Sequence, residues 1–242
     1  MYYLDLSLTQ IIKYAYDELR DFDKERLKIP KQLDAFDFAE LHLGLTADPQ
    51  RLTPDMHIYG LMAFSDGYWW VWPNEEEQKS GIYLPRKHNV AKGTFLIDDR
   101  IAAPDANVGW RNFSVLHECF HWIIHPKVFS RQEVVYQLHC SKNNMRISDR
   151  KSNMTGIELT EWQANVAASY FLMPPDAVKL GFCEVFEIEC SRVLPIQFTP
   201  LDGNRLKRLA DSFSASIRAI SIRLEELGLM TGFPRHSNID LT

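Results

Sequence analysis

The sequence has no closely paired cysteines, no long apolar run and no excess of positive charge, and each absence argues against a class of protein. Its four cysteines include no Cys-x-x-Cys pair, which disfavours a zinc ribbon. No stretch approaches the roughly 20 apolar residues that a transmembrane helix needs. The net charge of −5 gives no general reason to expect nucleic-acid binding, although it leaves room for a local basic patch.

The N-terminus also has little of what a secretory signal requires. Residues 1–6 carry neither a basic start nor a sustained apolar run. We therefore expect a cytoplasmic protein with no membrane partner, whose cysteines are reduced thiols. A hydrophobic content of 45% in 242 residues predicts a packed core, sufficient for one sizeable domain with an appendage or for two small domains.

The strongest chemical signal is a His-Glu-x-x-His motif, formed by His117, Glu118 and His121 inside an apolar run that predicts a helix. Helical residues four apart are separated by one turn plus about 40°, so both histidines project from one face. Two imidazoles in this arrangement can bind one Zn²⁺, and Glu118 beside them can take a proton from a water molecule on the metal. The alternative is an ordinary amphipathic helix with partly buried histidines.

This helix is predicted to end at Ile124 or His125, because the residue before Pro126 is disfavoured in the helical conformation. His125 is therefore interpreted as a helix-end residue, favourable beside the carbonyl end of the helix dipole, and a ligand role is the less favoured alternative. The glycine and third histidine of the metzincins are absent, since Ile124 and Lys127 stand at those positions.

Helical spacing returns at residues 158–173, which end at Pro174-Pro175. Glu161 would complete a His₂Glu zinc site and leave the fourth position open for water. Asn165, one turn further along, can hydrogen-bond the free ring nitrogen of a ligand histidine. Glu158 is the competing ligand, ranked lower because Asn165 would then lie two turns away. The plain alternative for Glu161 is a solvated helix carboxylate.

The remaining pattern before residue 177 predicts an α+β fold. Helical spacing covers residues 8–27 and about 32–43, and Asp48-Pro49 marks a loop. A small, mostly antiparallel sheet is predicted from four short runs rich in aromatic and branched residues: 57–64, 68–72, 81–84 and 94–97. Polar loops are predicted at residues 73–77 and 141–156, with a short helix over 130–140. The aromatic cluster around Trp70 is interpreted as sheet core with one exposed face rather than as a ligand platform.

Three regions are predicted: an N-terminal helix at 1–29, a catalytic domain at 30–176 and a C-terminal extension at 177–242. Within the extension, about 204–229 is typical of a helix-turn-helix unit, two helices about a short break. Reading DNA would use Arg218 and Arg223 of the second helix, whereas Glu225, Glu226 and the overall acidity argue against strong DNA affinity. A packing or partner-docking role is therefore ranked ahead of DNA reading.

Two stretches together resemble the ImmA/IrrE family of metallo-endopeptidases: residues 111–121, and Glu161-x-Gln163-Ala164-Asn165 followed by Phe171-Leu172-Met173-Pro174. The resemblance covers about residues 30–176 and implies a zincin-like core, in which a small sheet precedes two active-site helices. Family members are bacterial or phage cytoplasmic proteins, and characterised ones cleave a helix-turn-helix repressor.

The resemblance implies that His117, His121 and Glu161 bind one zinc ion per chain and that Glu118 is the catalytic base. Two departures stand out. Gln163 occupies a position where the family often has glutamate, and the spacer at residues 122–160 is long.

These features predict a zinc-dependent endopeptidase that cleaves a protein substrate, with a helix-turn-helix repressor as the first candidate and DNA as a less favoured partner. Tyr170, His139 and Arg111 are the candidates for stabilising the oxyanion, and the sequence does not choose among them. The strand at 94–97 is the expected edge for an extended substrate. The alternative function is a catalytically weak, metal-containing regulator that acts by binding protein or DNA. Retention of Glu118 favours the enzyme, since a structural site needs no base. The oligomeric state is not predicted.

Overall fold

The computed structural model describes residues 3–129, 154, 156–192 and 195–233, and its fold is α+β, with small sheets and several helices, as predicted. The helices are α1 (Leu8–Asp23), α2 (Glu75–Lys79), α3 (Asp99–Ala102), α4 (Val108–Ile124), α5 (Pro126–Phe129), α6 (Gly156–Leu172), α7 (Pro175–Phe186), α8 (Gly203–Ser212) and α9 (Ile217–Glu226). The strands are β1 (Thr46–Gln50), β2 (Gly60–Met62), β3 (Gly67–Val71), β4 (Arg86–Val90), β5 (Thr94–Asp98), β6 (Ile196–Gln197) and β7 (Met230–Thr231). None of the helices in the described ranges combines the length and apolarity that crossing a membrane requires.

Helix α1 begins at a capping box, in which Ser7 and Gln10 satisfy each other's backbone N–H groups. Its buried face consists of Ile11, Ala15 and Leu19, which are spaced at helical intervals. The predicted second helix at 32–43 is shorter than expected and is mainly a π-helical turn, Asp37–His42.

The main sheet has the order β1-β5-β2, with β1 parallel and β2 antiparallel to β5. The expectation of a mostly antiparallel sheet holds for the pairs β2–β5 and β3–β4 but not for the parallel pair β1–β5. The loop predicted at Asp48-Pro49 is wrong, because both residues lie in β1. Proline lacks the N–H that a central strand must donate, but it is tolerated in an edge strand such as β1. Strand β5 is central and fully buried, so the expectation that it forms the substrate edge is also wrong.

A separate hairpin pairs β3 with β4. Tyr68 and Trp70 are about half exposed on one face, while Val71 is buried on the other, which matches the interpretation of the aromatic cluster. The strand predicted at 81–84 is wrong, since β4 begins only at Arg86. The loop predicted at 73–77 is largely replaced by α2, whose N-terminus is capped by Asn74.

Helices α4 and α6 pack against each other, and α4 also contacts β2. Three small residues on α6, Ala164, Ala167 and Ala168, are completely buried and allow this close approach. Aromatic rings fill the adjacent core, with the Phe38 and Phe171 ring centroids 4.3 Å apart. The two helices that carry the chemical motifs are thereby fixed face to face.

The C-terminal extension contains the two predicted helices, α8 and α9, joined by residues 213–216. Helix α8 packs on α7, and the turn at 213–216 contacts the N-terminal part of α4, where Asn112 Nδ2 donates to the carbonyl oxygens of Leu33 and Ser214. Arg223, a candidate for reading DNA, is buried: its Nε donates to the Met173 carbonyl, and its guanidinium lies 3.9 Å from the Tyr170 ring centroid. Arg223 is therefore occupied in packing, whereas Arg218 is exposed.

Cys183 and Cys190 form a disulfide with Cα atoms 5.6 Å apart, so the expectation of reduced thiols is wrong for this pair. The pairing arises because Glu187 ends α7 in the left-handed conformation and turns the chain back. Cys119 is a buried free thiol.

Candidate metal centre

The candidate metal centre is assembled by α4 and α6. Helix α4 is capped by Asn107 and presents His117 and His121, both fully buried, from one face. Helix α6 brings Glu161 to the same point, with only 14% of its side chain exposed. One ligand atom from each of the three residues lies within 4.8 Å of the others.

The distances among these atoms suit a small cation. The two Nε2 atoms of His117 and His121 are 2.8 Å apart, and the Glu161 carboxylate oxygens lie 3.1 and 3.3 Å from them. Ligand atoms at about 2.0–2.2 Å from a tetrahedral zinc ion lie roughly 3.3–3.5 Å from one another. The donor set of two imidazoles and one carboxylate therefore fits zinc after shifts of a few tenths of an ångström.

The protonation states also suit a metal. Burial lowers the pKa of His121 to about 4, so that its imidazole is neutral at pH 7. Burial by itself would raise the pKa of Glu161, but its contacts with His121 and His117 outweigh that effect and hold the pKa below its ordinary value. A neutral imidazole and an ionised carboxylate are the forms that bind zinc.

Each ligand histidine has a partner on its other ring nitrogen. His117 Nδ1 lies 3.1 Å from Asn165 Oδ1, which is the contact that the sequence predicted for Asn165. His121 Nδ1 lies 3.1 Å from His125 Nδ1, and this contact was not predicted. His125 ends α4 as expected, but burial lowers its pKa to about 3. Its ring is therefore neutral, and it provides no positive charge to interact with the carbonyl end of the helix dipole.

Glu118 is 1% exposed and lies against Gly60, the first residue of β2. A Cβ atom on Gly60 would come within 2.8 Å of Glu118 Oε1 and 2.9 Å of its Cγ. The absence of a side chain at Gly60 therefore allows the position that the carboxylate occupies. Sequence reasoning missed Gly60, because the contact joins residues 58 positions apart and no local pattern marks it.

The edge of the sheet beside Glu118 is β2, not β5. Asp98 donates to the Tyr59 carbonyl and Ala63 to the Thr94 carbonyl, which fixes the hydrogen-bonded pairs of β2 and β5. Alternation along an antiparallel pair then directs the N–H and C=O groups of Gly60 and Met62 away from β5, toward the outer side of the sheet.

Two of the three candidates for stabilising an oxyanion, Tyr170 and Arg111, are not brought to the metal ligands. Tyr170 follows Glu161 by nine residues, about 13 Å along α6 and on the opposite face, and it packs against Tyr16 and Arg223. Arg111 precedes His117 by six residues, about 9 Å along α4, and its Nη1 donates to the Ala103 carbonyl. The third candidate, His139, lies outside the described residues.

Of the two carboxylates considered as the third ligand, Glu161 joins the histidines, whereas Glu158 is exposed one turn earlier on α6.

Comparisons of the chain with models of protein families, with curated proteins and with solved structures found no match. The function is therefore argued from the residues and their geometry.

Proposed function

We propose that this protein is a zinc-dependent endopeptidase. The observation that carries the proposal is the convergence of His117, His121 and Glu161 within 4.8 Å, with Glu118 on the same helix as the two histidines. Three protein ligands from the described residues leave one position of a tetrahedral site for water or substrate, as in catalytic rather than structural zinc sites.

Zinc held by these three residues would polarise a peptide carbonyl and make a water molecule more acidic. Glu118 would act as the base that takes the proton from the attacking water and delivers it to the leaving amine. Its burial against Gly60 holds the carboxylate in one position, which favours an efficient proton transfer.

The proposed route for the substrate is the outer edge of β2, whose three residues are buried in this structure, so substrate binding requires this edge to open. An extended peptide that paired with Gly60 and Met62 would run directly beside Glu118, and main-chain hydrogen bonds of this kind are largely independent of sequence.

The proposal also includes the finer points of the fold: a zincin-like core of sheet, α4 and α6, with α8 and α9 as a helix-turn-helix-like unit. A helix-turn-helix repressor as substrate rests on the resemblance to the ImmA/IrrE family alone.

The test of the metal site is zinc content, because it needs no substrate. Wild-type protein reconstituted with zinc and dialysed is expected to hold about one zinc ion per chain. Glu161→Ala is expected to hold almost none, because it removes the only anionic ligand of the group.

The matched control for this measurement is Glu158→Ala, one turn away on the same helix, which should keep the full zinc content. Atomic absorption on the three proteins gives the result. A wild-type protein without zinc would overturn the proposal. Loss of zinc in Glu158→Ala but not in Glu161→Ala would show that Glu158, and not Glu161, is the third ligand.

The contact between Gly60 and Glu118 gives a second prediction. Gly60→Ala should displace the Glu118 carboxylate, and a misplacement of up to about 1 Å lowers turnover by up to roughly 10²-fold while zinc content stays unchanged. The measurement is the cleavage rate of fluorescently labelled casein, an unfolded protein substrate. Gly203→Ala is the control, because a Cβ atom there meets nothing within 4 Å. Full activity in Gly60→Ala would show that the glycine does not position Glu118.

A further inference from the structure

A chain of hydrogen bonds leads from the metal centre to the N-terminal segment, residues 3–7. It runs from His121 Nδ1 to His125 Nδ1 over 3.1 Å, and from His125 Nε2 to Gln163 Oε1 over 2.9 Å. The last bond is donated by Gln163 Nε2 to the backbone carbonyl of Leu4, over 2.7 Å. His121, His125 and Gln163 are each completely buried, so water does not compete for these bonds.

The direction of every bond follows from the Leu4 carbonyl, which can only accept. Gln163 must therefore turn its amide nitrogen toward Leu4 and its oxygen toward His125. That oxygen also only accepts, so His125 Nε2 carries the proton of the neutral ring and His125 Nδ1 is left as an acceptor. His121 Nδ1 must then donate, and His121 Nε2 is left with a bare lone pair directed at His117 and Glu161.

We propose that His125 and Gln163 are positioning residues that set the tautomer of the ligand His121 and couple the metal centre to the N-terminal segment. The inference rests on the proposed zinc site, and it assigns His125 and Gln163 a role that the two-histidine motif alone does not contain. Partners of this kind typically change metal affinity by 10- to 100-fold when they are removed.

The N-terminal segment is held at two points on α6. Besides the bond from Gln163 to Leu4, the ring of Tyr3 lies so close to Gly156 that a Cβ atom there would be 2.0 Å from Tyr3 Cδ2. Residue 7 then caps α1, which itself packs on α6. Because linkage is reciprocal, a segment that favours the zinc-binding tautomer of His121 must itself be stabilised when zinc binds.

The first experiment compares His125→Leu with His125→Asn. Leucine fills the space but accepts no hydrogen bond, and zinc affinity, measured by competition with a chromophoric chelator, is expected to fall roughly 10- to 100-fold. Asparagine can place its side-chain oxygen near the position of His125 Nδ1 and should keep most of the affinity. The visible spectrum of the cobalt-substituted protein should change in the leucine variant and remain close to wild type in the asparagine variant.

The matched control is His42→Leu. His42 is a partly buried histidine that packs on Phe38 and contacts Glu18, away from the metal ligands. Its replacement should leave the zinc affinity and the cobalt spectrum unchanged.

The second experiment tests the two ends of the hydrogen-bond chain separately: the bond to His125 and the bond to Leu4. At a pH where the new carboxyl group is ionised, Gln163→Glu can still accept from His125 but cannot donate to Leu4, so zinc affinity should largely survive. The amides of residues 3–7 should exchange with solvent about fivefold faster or more, as expected for the loss of one typical hydrogen bond. In wild type, zinc should slow the exchange of these amides, and in the variant this effect should disappear.

The outcomes separate this inference from the proposed function. If wild-type protein binds no zinc, the proposed function fails and the inference fails with it. If wild type binds zinc and His125→Leu binds it equally well with an unchanged cobalt spectrum, the proposed function stands and the positioning role is overturned. If zinc does not alter exchange in residues 3–7 of the wild type, the coupling to the N-terminal segment is overturned.

Discussion

Replacing Glu118 with glutamine is expected to leave one zinc ion per chain and to lower peptide hydrolysis roughly 10²- to 10⁴-fold, the range typical of a lost general base. Glutamine has nearly the same shape as glutamate, so it can occupy the space against Gly60 without disturbing α4. It cannot accept a proton at neutral pH. The variant therefore removes the proposed chemistry and preserves the packing around it.

The measurement for Glu118→Gln is the cleavage rate of labelled casein at equal zinc loading, followed by the same assay on a purified helix-turn-helix repressor. An exposed glutamate in α2, Glu75, provides the control, since Glu75→Gln should behave as wild type. Cleavage by Glu118→Gln at the wild-type rate would show that Glu118 is not the base. Loss of zinc from the variant would indicate instead a structural role for the carboxylate.

The metal ligands could be predicted because their information is local. His117 and His121 lie four residues apart on α4, and Glu161 and Asn165 lie four residues apart on α6. Helical geometry converts such spacing directly into a shared face. The same logic was available for His125, four residues beyond His121, but Pro126 directed the interpretation toward the helix end, and the ring partner was missed.

The sheet was harder to predict because its pairing joins distant residues. Strand β1 pairs in parallel with β5, with Thr46 opposite Thr94, and Asp48-Pro49 has the local composition of a turn. Burial of β5 on both faces follows from this arrangement: Phe95 and Ile97 join the main core, whereas Leu96 joins a smaller cluster beneath the hairpin. No local pattern encodes which strand becomes the edge, and so the expected substrate edge was misplaced from β2 to β5.

Gly109→Ala is expected to destabilise the fold by about 3 kcal/mol, at the upper end for overpacking. Gly109 lies in the first turn of α4, where alanine would by itself favour the helix by up to about 1 kcal/mol. A Cβ atom at this position, however, would lie 2.0 Å from Ser216 N and 2.2 Å from the carbonyl carbon of Ala215. These are backbone atoms of the turn between α8 and α9, which cannot rotate aside as a side chain can. The steric term therefore exceeds the gain in helix propensity.

Urea unfolding followed by tryptophan fluorescence measures this change, with Gly203→Ala as the matched control. Gly203 has φ −53° in the helical region and open space around its Cα, so alanine there should stabilise the protein by roughly 0.4–1 kcal/mol. Opposite signs for the same substitution at two helix N-termini would establish that α4 is in close contact with the turn between α8 and α9. A Gly109→Ala protein as stable as wild type would mean that this contact is absent in solution.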